Sequence, residues 1–128
     1  MREIKFRGKR TDTKEWVYGY YAHTTLSDEA FSLGNCMKHH LIIDSGVYYE
    51  VIPESVGQYT GLKDKNDKEI YEGDIVNHKN PKPFKDSIYK VEFLNGGFAI
   101  KNSDCTEDLN EFLKHSSSAE VIGNIYEN

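Results

Sequence analysis

The chain has 128 residues, with 16 Lys+Arg against 21 Asp+Glu and a formal charge of -5. This length suits one domain with its own core, and the acidic balance excludes whole-surface attraction to nucleic acid or anionic membrane, so that a nucleic-acid site would have to be a local patch. Two cysteines, Cys36 and Cys105, are too few for the disulfide framework of a small secreted domain, and no run of about 18 apolar residues offers a transmembrane helix. The basic opening Met1 to Arg10 is not followed by the apolar stretch of a signal peptide, so the expected location is the cytoplasm, with both thiols free. Nine Tyr and six Phe beside a single Trp bias the chain toward strands, because such side chains fit a pleated, half-buried surface.

In chain order, Glu3 to Arg7 alternates with Ile4 and Phe6 on one face, which predicts a strand, and Gly8 to Lys14 reads as a turn. Glu15 to His23 is the second strand of a hairpin, and Gly19 inside it marks a bulge or a close approach of another backbone. Ser27-Asp28-Glu29-Ala30, followed by Phe31 and Leu33, is a candidate short helix with Ser27 as its N-cap. His39 to Asp44 and Val47 to Ile52 flank Ser45-Gly46 and predict a tight hairpin, ended by Pro53.

Val56 to Thr60 is a further strand, followed by a turn at Asp64-Lys65-Asn66-Asp67, a short strand Glu69 to Tyr71, a corner at Glu72-Gly73 and a strand Asp74 to His78. Ile88 to Leu94 and Gly97 to Lys101 bracket Asn95-Gly96, the strongest hairpin signal in the chain. Thr106 to His115 carries Leu109, Phe112 and Leu113 at helical spacing behind the acids Glu107 and Asp108, which predicts the one substantial helix. Glu120 to Glu127 is the last strand. Ile70, Ile75, Val76, Val91, Phe93, Phe98, Ile122 and Ile125 are the expected packing residues of the later half.

The candidate sites are weak when weighed against plain structural roles. Cys36-x-x-His39 has half of a zinc spacing, with His40, His23 and Cys105 as imaginable further ligands, but His39 and His40 on a strand point to opposite faces. Asp64, Asp67, Glu69, Glu72 and Asp74 lack the spacing of a calcium loop and serve more simply to satisfy turn backbone. His115 beside Ser116-Ser117-Ser118 has no nucleophile elbow, and Gly96-Gly97 is a hairpin tip with no helix behind it to cradle phosphate. No catalytic, metal or cofactor residue is therefore expected. The sharpest binding candidate is the N-terminal hairpin. Its first 14 residues hold six basic against two acidic side chains, a local +4, next to three aromatics at alternate strand positions. Arg7, Lys9, Arg10, Trp16, Tyr18 and Tyr20 form this candidate surface, which offers either phosphate tracking with base stacking or, more simply, an aggregation-resistant basic edge beside a core or subunit interface.

Phe6 to Arg10 (FRGKR), Trp16 to Gly19 (WVYG), Val56 to Asp64 (VGQYTGLKD), Glu69 to Val76 (EIYEGDIV) and Glu120 to Asn128 (EVIGNIYEN), in that order, resemble the YopX family, small proteins of phages and prophages of Gram-positive bacteria. The resemblance spans nearly the whole chain and departs at Asp67, where relatives often have Gly after Asn66. It brings no assigned activity and no catalytic residues. It implies a mostly β protein whose later half looks like a small SH3-type barrel, with Gly73 to Val76 opening, Val91 to Phe93 paired to Phe98 to Ile100, and Val121 to Gly123 closing. One domain, 1–128, is expected, with 1–55 forming hairpins and 56–128 the barrel as its substructure. The functional expectation is a non-enzymatic phage accessory protein that binds a host or phage protein and self-associates. A nucleic-acid-associated factor is the alternative and a small enzyme the third reading.

Overall fold

The computed structural model describes residues 4–27 and 36–126, with the backbone alone at 24–27 and 36–38. The chain is mostly antiparallel β and divides into two compact units, Ile4–Gln58 and a second one from Tyr59 onward.

In the first unit, β1 (Phe6–Lys9), β2 (Trp16–Ser27), β3 (Cys36–Asp44) and β4 (Val47–Glu50) lie in the order β4-β3-β2-β1. The ends of this sheet are drawn together. Arg10 bridges Val51, Ile52 N–H donates to Lys9 O at 2.8 Å, and Thr11 N–H donates to Glu50 O at 3.0 Å. β1 runs on through Gly8 and Lys9, which the sequence placed in the turn, because they pair with Val17 and Trp16 of β2. Past the end of β4, Val51 bridges Arg10 while its own N–H donates to His40 O of β3 at 2.9 Å. Ile42 and Val51 are fully buried on the inner face, where the Phe6 and Tyr21 rings meet at 5.7 Å. At Gly19 a Cβ would lie 2.2 Å from the Ile43 carbonyl oxygen, so of the two readings of this strand glycine, bulge or close approach, it is the close approach that holds. β2 and β3 continue past their predicted ends, pairing Ser27 with Cys36, because polar threonines extend a ladder without showing alternation. The candidate helix after Ser27 lies outside the described residues.

β5 (Gly57–Lys63) begins in the first unit, where Gly57 and Gln58 pair with Arg7 and Phe6. In the second unit it pairs with β6 (Glu69–Tyr71) across a register shift. There follow β7 (Asp74–His78), β8 (Ser87–Leu94), β9 (Gly97–Lys101), β10 (Thr106–Asp108), helix α1 (Leu109–His115) and β11 (Glu120–Asn124). Their sheet has the order β10-β9-β8-β7-β11. The expected neighbours are present, since β8 pairs with β9 through Asn95-Gly96 and β11 lies against β7. Among the described residues no closed barrel is found, since the outer strands β10 and β11 do not pair with one another. Leu109 and Phe112 of α1 instead cover one face of the sheet, packing with Val76, Val91 and Ile100. The helix is shorter than the spacing predicted because Thr106 to Asp108 pair with Lys101 to Ala99, and Asp108 then caps it by accepting from Glu111 N–H at 3.0 Å.

Among the expected packing residues, Ile70, Val76, Val91 and Phe98 are buried, and Ile75 is half-buried. Phe93, Ile122 and Ile125 are about half exposed, and each has a local cause. Phe93 lies past the point where β7 begins, Ile122 stands in the bulge between Val121 and Gly123, and Ile125 follows the end of β11, which stops at Asn124 and not at the predicted Glu127.

Candidate binding surfaces

Opposed residues of an antiparallel pair share a face, so the register sorts the N-terminal candidates directly. Lys9 faces Trp16 and Arg7 faces Tyr18, while the next row across the sheet is Tyr20–Ile43–Tyr48. These residues form the outer face of the first unit. Tyr18 is 44% exposed, Tyr20 70% and Tyr48 66%. Arg7 is buried, with its guanidinium 4.5 Å from the centre of the Trp16 ring, and the Lys9 ammonium is 5.6 Å from the same ring. Both cations therefore lie against an aromatic face, an arrangement worth more where water is excluded.

Arg10 does not join this surface. Its side chain lies over Tyr49 at 5.1 Å and grips Asp12 with two hydrogen bonds, from Nε at 2.9 Å and from a terminal nitrogen at 2.7 Å. The hydrogen bond from Arg10 holds the Asp12 carboxyl below its ordinary range, and the same contact raises the Arg10 guanidinium. Of the six residues proposed from sequence, five thus share one face and one does not. Tyr48, which the sequence reading left out, completes it. The two-residue turn at Ser45-Gly46 fixes the pairing of Ile43 with Tyr48, so this signal was legible.

Two of the carboxylates in the turn motifs, Asp64 and Asp74, hold backbone. Asp64 is buried and accepts from Asn66 N–H at 2.8 Å, Lys68 N–H at 3.0 Å and Val121 N–H at 2.8 Å, fastening the turn to β11. Asp74 is buried and accepts from Tyr71 N–H at 2.7 Å, closing the corner before β7. Gly73 in that corner has φ +92°, and a Cβ there would meet the Tyr126 ring at 2.8 Å. Only a residue without a side chain lets Tyr126 lie against this turn.

The histidines do not converge. His39 meets Glu50 at 2.9 Å on the outer face, whereas His40 on the inner face meets the Tyr21 hydroxyl at 2.6 Å and stacks on His23 at 4.3 Å. His115 contacts Glu107 at 2.6 Å. The Ser116 hydroxyl meets His78 at 2.6 Å and not the adjacent His115, a contact between the end of α1 and β7 that no local motif announces. Ser116 is buried there. Among the described residues no group of three or more His, Cys, Asp or Glu is placed to hold a metal ion, and no helix is long and apolar enough to cross a membrane.

These features define a two-unit antiparallel β protein whose most regular motifs serve turns and whose exposed tyrosines gather on one sheet face. The model of the YopX protein family matches residues 5–128, and the chain belongs to that family. It is also similar to a solved structure described as the crystal structure of protein EF1440 from Enterococcus faecalis, with 27% identity, a TM-score of 0.57, all of this chain covered and 96% of the other. No curated protein matches the chain.

Proposed function

We propose that this protein is a non-enzymatic binding module of a phage or prophage, working in the cytoplasm of its bacterial host by docking a host or phage protein on the outer face of the first unit. The observation that carries the reading is the pairing of well-exposed Tyr18, Tyr20 and Tyr48 with cations already laid over Trp16. Tyrosine supplies large contact area at low entropic cost, and its enrichment at protein interfaces favours a protein partner. Arg7 is too buried to track a phosphate backbone, which counts against the nucleic-acid alternative. The same apolar exposure supports self-association. The succession of β7, β8 and β9 with β11 against β7 supports kinship of the second unit with SH3-type folds.

Tagged protein recovered from lysogenic host cells, with and without nuclease, tests this reading. A nuclease-resistant partner that is lost from the Tyr20→Ser/Tyr48→Ser variant is expected. Tight, salt-sensitive binding of a short single-stranded oligonucleotide by the unmodified protein would instead favour the alternative, because phosphate contacts weaken steeply with added salt.

A further inference from the structure

We propose that His23 and His40 form a two-histidine site for a divalent transition ion, Zn(II) or Cu(II), on the inner side of the β2–β3 pair. The register makes them directly opposed residues of that pair. The His40 carbonyl accepts from Val51 N–H at 2.9 Å, so the main-chain groups of His40 are turned toward Val51 and away from β2. His23–His40 is therefore a non-hydrogen-bonded pair, the kind in which opposed Cα atoms lie only about 4.5 Å apart and side chains come closest. The two rings accordingly stand face to face, 4.3 Å between centres and 11° from parallel.

This spacing is close to the bite of one ion. Zinc–nitrogen bonds of about 2.0–2.1 Å hold two ligand nitrogens about 2.9–3.4 Å apart, so a small tilt of one ring brings its nitrogen onto an ion shared with the other. His23 is exposed and can make that tilt, whereas His40 is half-buried and held. The holding group is the Tyr21 hydroxyl, 2.6 Å from His40 Nδ1, on a ring that itself packs against Phe6 at 5.7 Å. With His40 Nε2 on the ion, Nδ1 carries the proton and donates to that hydroxyl. Such an outer partner fixes the orientation of a metal-bound imidazole and makes it a stronger donor.

The donor set decides the ion. Imidazole suits Zn(II) and Cu(II), with Cu(II) the tighter of the two, whereas Mg(II) and Ca(II) call for oxygen ligands. His39 takes no part, since it lies on the opposite face with Glu50. Among the described residues no group of three or more His, Cys, Asp or Glu gathers here, so the ion keeps positions open to water and to incoming donors.

Calorimetric titration of the intact protein with Zn(II), Cu(II) and Mg(II), with the histidine ring resonances followed by NMR, tests the site. Cu(II) should bind more tightly than Zn(II), and Mg(II) not at all. Cu(II) should broaden the His23 and His40 rings before those of His39, His78 and His115. His23→Gln, at an exposed position, should abolish binding with the fold kept, and His39→Gln should leave it unchanged. Tyr21→Phe keeps the ring and removes the hydroxyl, and should weaken binding about tenfold, a loss that ring packing alone would not produce. Zinc affinity unchanged by His23→Gln would overturn the inference. So would affinity that is lost with Cys36→Ser or Cys105→Ser instead, broadening centred on another histidine, or binding no tighter than millimolar. The pair lies on the opposite sheet face from Tyr20 and Tyr48, so partner capture through those tyrosines succeeds or fails independently of it.

Discussion

Single residues divide the family motifs into those that hold backbone and those that face solvent. Asp64 satisfies three main-chain donors from two segments, one of them at buried Val121, so Asp64→Ala should cost about 3 kcal/mol, measured by urea unfolding. Asp67 has φ +64°, a left-handed conformation that glycine adopts without strain. Asp67→Gly relieves that conformation but loosens the unfolded chain and removes only an exposed ion pair with Lys63. A net gain of about 0.5 kcal/mol is expected, read as a small rise in melting temperature. Phe93 shows how exposure changes an estimate. A fully buried phenylalanine would cost about 3–5 kcal/mol on truncation, but at 48% exposure Phe93→Ala should cost about 1–2 kcal/mol, mostly through its edge contact with Phe98.

At the level of elements, the capped helix and the β8 strand carry the clearest expectations. Asp108→Ala removes the side-chain acceptor for Glu111 N–H and should destabilise α1 by about 1 kcal/mol, visible as earlier loss of the helical contribution on heating. In β8 the hydrogen bond from Lys90 is the largest influence holding the Glu92 carboxyl below the ordinary glutamate range. A depressed carboxyl stabilises the fold above its unfolded value and loses that contribution as pH falls through the folded one. Lys90→Met should therefore raise the Glu92 titration midpoint toward that of an ordinary glutamate, as followed by carbon-detected NMR.

For the whole molecule, circular dichroism should be dominated by strand, since α1 is a seven-residue helix. Charge reversal must respect the packing found here. Replacing Arg7 with Glu would put a carboxylate at a buried position against Trp16 and unfold the first unit, whereas Lys9→Glu tests the electrostatics of the same face with the fold kept. Light scattering at micromolar concentration is expected to show a species larger than the monomer, reduced to the monomer mass by Tyr20→Ser/Tyr48→Ser.

By itself the sequence determined most strands, both two-residue hairpins, the strand glycine at Gly19 and a helix ending at His115, because each is set by local spacing or turn chemistry. It also located the aromatic row from Trp16 to Tyr20, since side chains alternate with period two along any strand. Only the tertiary structure decided which neighbours those faces meet. The bridge from Arg10 to Val51 carried Arg10 off the candidate surface, and the pairing of β1 with β2 laid Arg7 and Lys9 over Trp16. The reach of Asp64 to Val121 and the contact of Ser116 with His78 depend on segments that meet only after folding. Alternation and turn residues report local backbone geometry, whereas these contacts arise where distant strands compete for the same hydrogen-bonding edges and the same apolar cover.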